Sequence, residues 1–165
     1  MKIGLVSYEF KNNEIAFNLA QIERAMKAAR GKVDMLCFGE TFLQGFDALN
    51  WEYDSDKNIA ISTDSDIMRR LCGMTATYRA DLLFGYIEKS GDGLYSSCAV
   101  IENGVLTCNY RRISRGWKEY TRTDEHYKEG TDANGFLYRG EPVKIALCGD
   151  LWEYPERFKT DGLLI

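Results

Sequence analysis

Apolar residues along the chain follow two rhythms, one continuous and one spaced. The opening run KIGLVSYEF ends in the polar turn Lys11-Asn12-Asn13, and a short, unbroken apolar run of this kind predicts a buried strand. Ile15, Leu19, Ile22 and Met26 then recur at i, i+4, i+7 and i+11. That spacing predicts an amphipathic helix, with Asn13 as its N-cap and Gly31 as its C-terminal stop. VDMLCFGE follows as a second buried strand, and two buried strands separated by a helix predict a parallel pair joined by a right-handed crossover. Ile67, Leu71, Met74 and Tyr78 mark a second helix before the strand DLLFGYIE. From Ser90 onward GDG, ENG and RGEP punctuate YSSCAVIE, VLTCNYRR and KIALCGD. Short strands between tight turns predict an antiparallel meander that continues the same sheet. The final LLI predicts the start of a buried strand at Leu163, cut off, so the chain reads as part of a longer protein.

Composition narrows this picture to one α/β domain over residues 1–165, because 45% hydrophobic and 13% aromatic content is enough for a core. The 21 basic and 25 acidic residues are scattered without blocks and sum to −4. No basic face is therefore offered to nucleic acid or to an anionic membrane, and neither is expected as a partner. No apolar run approaches the roughly 18 residues of a membrane span, and nothing after Met1-Lys2 resembles a signal segment, so a cytoplasmic protein is expected. The five cysteines lack any C-x-x-C spacing, which argues against a disulfide framework or a zinc ribbon. A single histidine, His126, excludes an H-E-x-x-H metal site; it sits in a charged segment and is expected to be exposed.

Three strand ends carry possible chemistry. Glu40 closes MLCFGE, placing a carboxylate at the carboxyl edge of a parallel strand, where open α/β sheets put their sites. Arg111 and Arg112 close CNYRR, and successive strand residues face opposite sides, so one is expected to point inward and the other out. Cys148 closes KIALC, and Gly149 after it permits a sharp turn and leaves a backbone N–H open as an oxyanion donor. Each has a plain structural reading beside the chemical one. Free cysteines are commonly buried core residues, and Cys37, Cys72, Cys98 and Cys108 take that reading. Asp150 and Glu153 read as turn and supporting groups. Tyr8, Trp51, Trp117, Tyr120, Trp152 and Tyr154 either line a pocket or build the core.

The order of F-G-E-T-F, Y-R-R and L-C-G-D-L-W-E-Y-P-E-R-F resembles the nitrilase, or carbon-nitrogen hydrolase, superfamily, from Ile3 to the end of the chain. The resemblance implies an αββα sandwich, incomplete here, with its second sheet and far pocket wall supplied by residues after the cysteine motif. One sheet face would then be bare, a surface that drives association. It also implies a Glu-Lys-Cys triad that hydrolyses amides, nitriles or carbamoyl compounds without metal or organic cofactor, and pairing of sandwiches into dimers. Carried over residue by residue, Glu40 matches the general base, Cys148 the nucleophile and Gly149 an oxyanion donor. Glu125, five residues before Gly130, matches a second glutamate of some amidases. The chain departs from the pattern at Arg112, where the family has lysine: a guanidinium keeps the charge but does not exchange protons near neutral pH. Lys118, in RGWKEY, is the candidate substitute. The expected activity is hydrolysis of a small non-peptide amide through a cysteine thioester, releasing ammonia or an amine. The alternatives are a catalytically lapsed member that binds a metabolite or a protein, and a purely structural α/β module.

Overall fold

In the computed structural model, which describes residues 1–165, the apolar runs pair into one five-stranded sheet. Its strands are β1 (Ile3–Leu5), β2 (Met35–Cys37), β3 (Asp81–Ser90), β4 (Gly93–Glu102) and β5 (Val105–Arg111), in that spatial order. β1, β2 and β3 run parallel, and β3, β4 and β5 form the antiparallel meander. Parallel neighbours need crossovers, and two helices supply them: α1 (Ile15–Ala29) between β1 and β2, and, after the one-turn α2 (Tyr53–Asp56), α3 (Asp66–Tyr78) between β2 and β3. Leu19, Ile22, Met26, Leu71 and Met74 of the helices pack with Leu36, Phe84 and Tyr86 of the sheet in one core.

The helix ends differ in how they are made. Gly31 stops α1 at φ 74°, a left-handed conformation that costs glycine little. Asn13 is not the N-cap: α1 starts after Glu14 with no side-chain cap. Asn13 instead adopts φ 61° and donates from Nδ2 to the Ala48 carbonyl, so its amide ties down a neighbouring loop. α3 is capped by Ser65 Oγ, which accepts from Met68 N–H. The ENG and RGEP turns are two-residue hairpins, with both central residues at positive φ in Asn103-Gly104 and in Arg139-Gly140.

The meander ends at β5 rather than continuing through KIALC. The third hairpin instead opens a second sheet of β6 (Phe136–Tyr138), β7 (Glu141–Lys144) and β8 (Leu163–Leu164), with β7 and β8 parallel. The physical reason lies in the first sheet, whose face away from the helices is also apolar. Met35, Leu83, Cys98 and Val100 on that face pack with Tyr138, Val143, Ile145 and Phe158 of the second layer. The second sheet is thus partly built from residues before the cysteine motif, and the first sheet is not left bare. What remains open is an apolar cleft of about 350 Å³ bordered by Leu5, Val6, Phe38, Leu147 and Ile165. Leu163 begins a strand as expected, half-buried rather than buried. With its two long helices on one side and a final one-turn helix, α4 (Asp150–Glu153), the chain forms three layers of an αββα sandwich.

Candidate active site

Glu40 lies beyond β2, where Phe38 N–H still bonds the Leu83 carbonyl at 2.8 Å. The loop that carries it rests directly on β3: a Cβ added at Gly85 would sit 2.5 Å from Thr41 N and 2.7 Å from Glu40 Cα. Only glycine allows that approach. Arg111 and Arg112 part as strand geometry demands. Arg111 turns outward to Glu88, Nη2 to Oε1 at 2.6 Å, and lies over the Tyr95 ring. Arg112 turns inward and is 5% exposed, donating from Nη1 to Glu40 Oε1 at 2.8 Å and from Nε to Ser114 Oγ at 2.7 Å. Ser96 Oγ donates to the same Glu40 oxygen at 3.2 Å. The remaining Arg112 nitrogen, Nη2, lies 2.6 Å from where a Gly149 Cβ would stand, so one guanidinium touches Glu40 and the backbone next to Cys148.

Cys148 is not at a strand end. β7 stops at Lys144, and the thiol sits on a turn at φ 41°, just before α4. A buried carboxylate shapes this turn. Asp150 Oδ2 accepts from Leu147 N–H at 2.9 Å and from the Tyr110 hydroxyl at 2.5 Å. Its Oδ1 accepts from the N–H groups of Ile113 and Ser114 at 3.1 and 2.8 Å. One side chain therefore links the cysteine turn to the segment after Arg112, and four donors saturate its charge.

Glu40, Arg112 and Cys148 border one cavity of about 230 Å³, together with Trp51, Trp117 and Lys118. Glu40 and Cys148 also edge the apolar cleft between the sheets. A larger polar cleft of about 640 Å³, outside β5 near Tyr95, Arg111 and Asp132, contains none of the three. No three of the chain's His, Cys, Asp and Glu side chains come together as a metal site would require.

Glu125 does not join the cavity. It is exposed, because the turn from Asp124 to His126 faces outward while Tyr127 turns in to hydrogen-bond the buried Asp56. The inward carboxylate of that segment is Glu129, 2.8 Å from Lys118 Nζ. Glu129 belongs to the lining of the polar cleft, whereas Glu119 lines the cavity itself; spacing singles out neither, since the distance to a glycine says nothing about which way a side chain points. His126 is not free in solvent but stacks on Tyr53 with ring centroids 3.7 Å apart. Of the six aromatics in question, Trp51 and Trp117 line the cavity and Trp152 is 85% exposed. Ser96 and Ser114 carry no sequence signal at all.

Cys148 is the one exposed cysteine. Burial pushes the Cys37 thiol up to about 11 and raises Cys72, Cys98 and Cys108 as well, which keeps them protonated and unreactive at neutral pH.

The chain is similar to known carbon-nitrogen hydrolases in sequence and in fold. The family model for carbon-nitrogen hydrolases matches residues 2–156. An (R)-stereoselective amidase of a Pseudomonas species is 25% identical over 156 residues, 94% of this chain and 54% of its own length. A glutamine-dependent NAD(+) synthetase of Xylella fastidiosa is 24% identical over 162 residues, 92% of this chain and 28% of its own. Among solved structures, a CN-hydrolase superfamily protein of Xanthomonas campestris superposes with a TM-score of 0.77 at 19% identity, over 94% of this chain and 56% of that one. A variant of a Nesterenkonia amidase, bearing acrylamide added at its active-site cysteine, superposes at 0.75 with 17% identity, over 95% and 60%. The chain thus spans little more than half the length of the amidase relatives it matches, and over that span its sequence and fold place it in the carbon-nitrogen hydrolase family.

Proposed function

We propose that the protein to which this chain belongs hydrolyses a small non-peptide amide through a thioester on Cys148. The observation that supports this most is the shared cavity, with the Glu40–Arg112 ion pair on one wall and the exposed thiol at the same opening. Cys148 Sγ attacks the amide carbon as its proton passes to Glu40, and the C=O electron pair moves onto oxygen. The oxyanion rests against Gly149 N–H and the nearby positive charge. Collapse expels the amine, which takes the proton from Glu40, and leaves the thioester. Glu40 then removes a proton from water as it attacks, and a second collapse frees the acid and restores the thiol. A cytoplasmic dimer belongs to the same reading.

A second reading has its own support: Arg112 donates directly to Glu40, as in a site that has kept its architecture and lost turnover while retaining ligand binding. Iodoacetamide labelling of the intact protein, followed by peptide mapping and an ammonia assay on a panel of small amides, distinguishes the two. Labelling of Cys148 alone, with ammonia release abolished by it, is the expected outcome. Selective labelling without release from any amide favours the lapsed site, and absence of labelling at Cys148 overturns both.

A further inference from the structure

The cavity holds two cations, and they are placed for different work. Arg112 is locked in: Nε and Nη1 are committed to Ser114 and Glu40, and Nη2 is wedged beside Gly149. It is 5% exposed. Lys118 lines the same cavity with its side chain 11% exposed. Its ammonium donates to the Tyr127 carbonyl and lies 2.8 Å from Glu129 Oε1. An ammonium has three donors; only the Tyr127 contact is a hydrogen bond, since Glu129 Oε1 is within ion-pair distance without accepting one, so N–H capacity is left unclaimed. Trp117 and Thr41 belong to the same lining, and their Nε1 and Oγ1 atoms are buried without a hydrogen-bond partner in the protein. Buried polar groups are rarely left unpaired, and two of them belong to residues that line this one opening.

We propose that Lys118 is the cation that meets the amide oxygen, while Arg112 is a positioning residue for Glu40. This rests on the amide-hydrolase reading above. Glu129 and the Tyr127 carbonyl hold Nζ in place, and its free N–H points charge at the oxygen that becomes negative when Cys148 adds. Arg112 neutralises Glu40 and fixes the carboxylate where it meets the thiol proton. The division fits the chemistry of the two side chains: a planar guanidinium is the better fixed clamp, and a lysine stem with rotatable donors follows an oxygen that moves as it turns tetrahedral.

Lys118→Met in the intact protein keeps the bulk of the stem and removes the charge. Its kcat for a small amide is expected to fall by about 100-fold with KM changed by less than about threefold, the pattern of an interaction made in the transition state. Ethylammonium added to Lys118→Ala is expected to restore part of that rate, which a merely structural lysine would not allow. A readout independent of turnover is the addition of propionaldehyde to Cys148. There the S–C bond forms, the C=O pair moves to oxygen and the thiol proton goes to Glu40, and Lys118→Met is expected to weaken the adduct by about 30-fold or more. If Lys118→Met loses its cooperative thermal transition, Lys118→Gln, which keeps a donor for the Tyr127 carbonyl, is judged by the same criteria. Normal turnover with unchanged aldehyde affinity in these variants overturns the assignment and leaves the amidase reading standing. A wild-type protein that releases no ammonia yet binds aldehyde through Lys118 overturns the amidase reading alone. Failure of the wild type in both assays overturns both.

Discussion

At the scale of single residues, the sharpest feature is the backbone of Cys148, which at φ 41° occupies a region that glycine enters freely and other residues do not. Such a conformation costs on the order of 1–3 kcal/mol and persists where the surroundings impose it. Here they do, because Asp150 accepts from the N–H groups of Leu147, Ile113 and Ser114 and so dictates the turn. Cys148→Gly is therefore expected to be at least as stable as Cys148→Ala, by about 0.5–1 kcal/mol, although glycine ordinarily loses to alanine by that amount. Urea midpoints of the two variants decide it, and a less stable glycine variant would show the turn to be unstrained. Glu40, Arg112 and Cys148, which border one cavity, stand out in the sequence because each follows an apolar run and carries a distinctive neighbour set. Glu125 lies outside the cavity because a count of residues to Gly130 fixes no direction, whereas packing of Tyr127 against Asp56 turns Glu129 toward Lys118 and leaves Glu125 exposed.

Among the elements, what matters is how separate pieces of chain are tied to one another. Asp150, at the start of α4, reaches the end of β5 and the segment beyond it, so the element after the thiol and the element before the guanidinium move as one. Asp150→Ala would leave three backbone N–H groups and the Tyr110 hydroxyl without their acceptor. A loss of about 3 kcal/mol or more is expected, read as a lower urea midpoint, and Asp150→Asn should recover part of it. A cost under about 1 kcal/mol would mean that water replaces the carboxylate and that the link is not structural. α1, α3 and the β3–β4–β5 meander were readable because hydrophobic period and Asn-Gly turn chemistry are local. The second sheet was not, because nothing in KIALC distinguishes a strand that extends one sheet from a strand that covers it. That depends on the second apolar face of β2, β3 and β4, which a single strand does not reveal.

For the molecule as a whole, the five-stranded sheet is pinned at one end of its helix-bearing face by Glu88. From β3 its 1%-exposed carboxylate receives Arg111 and Asn109 of β5 and Ser97 of β4. Burial alone would raise its pKa, yet the hydrogen bonds from Arg111, Ser97 and Asn109 outweigh burial and hold it below the ordinary carboxylate value. A carboxyl depressed in the folded state stabilises the fold fully above its unfolded value of about 4.3, and that stability fades as pH falls through the folded value. The protein is expected to lose thermal stability below about pH 4, with Glu88→Gln less stable at pH 7 and flatter across the acid range. An equal acid slope in the variant would assign the loss to other carboxylates, such as Asp34, which Lys2 N–H and Arg139 hold low. The sequence by itself determined the helix-bearing parallel start, the β3–β4–β5 meander and the motif letters around Glu40, Arg112 and Cys148, because those rest on local periodicity, turn residues and contiguous residues. Only the tertiary structure decided that a second sheet covers the first, that Gly85 and Gly149 let backbones approach Glu40 and Arg112, and that Lys118 and Glu119 line the cavity. Those are distances between residues far apart along the chain, set by which apolar faces must be buried together rather than by any pattern within one segment.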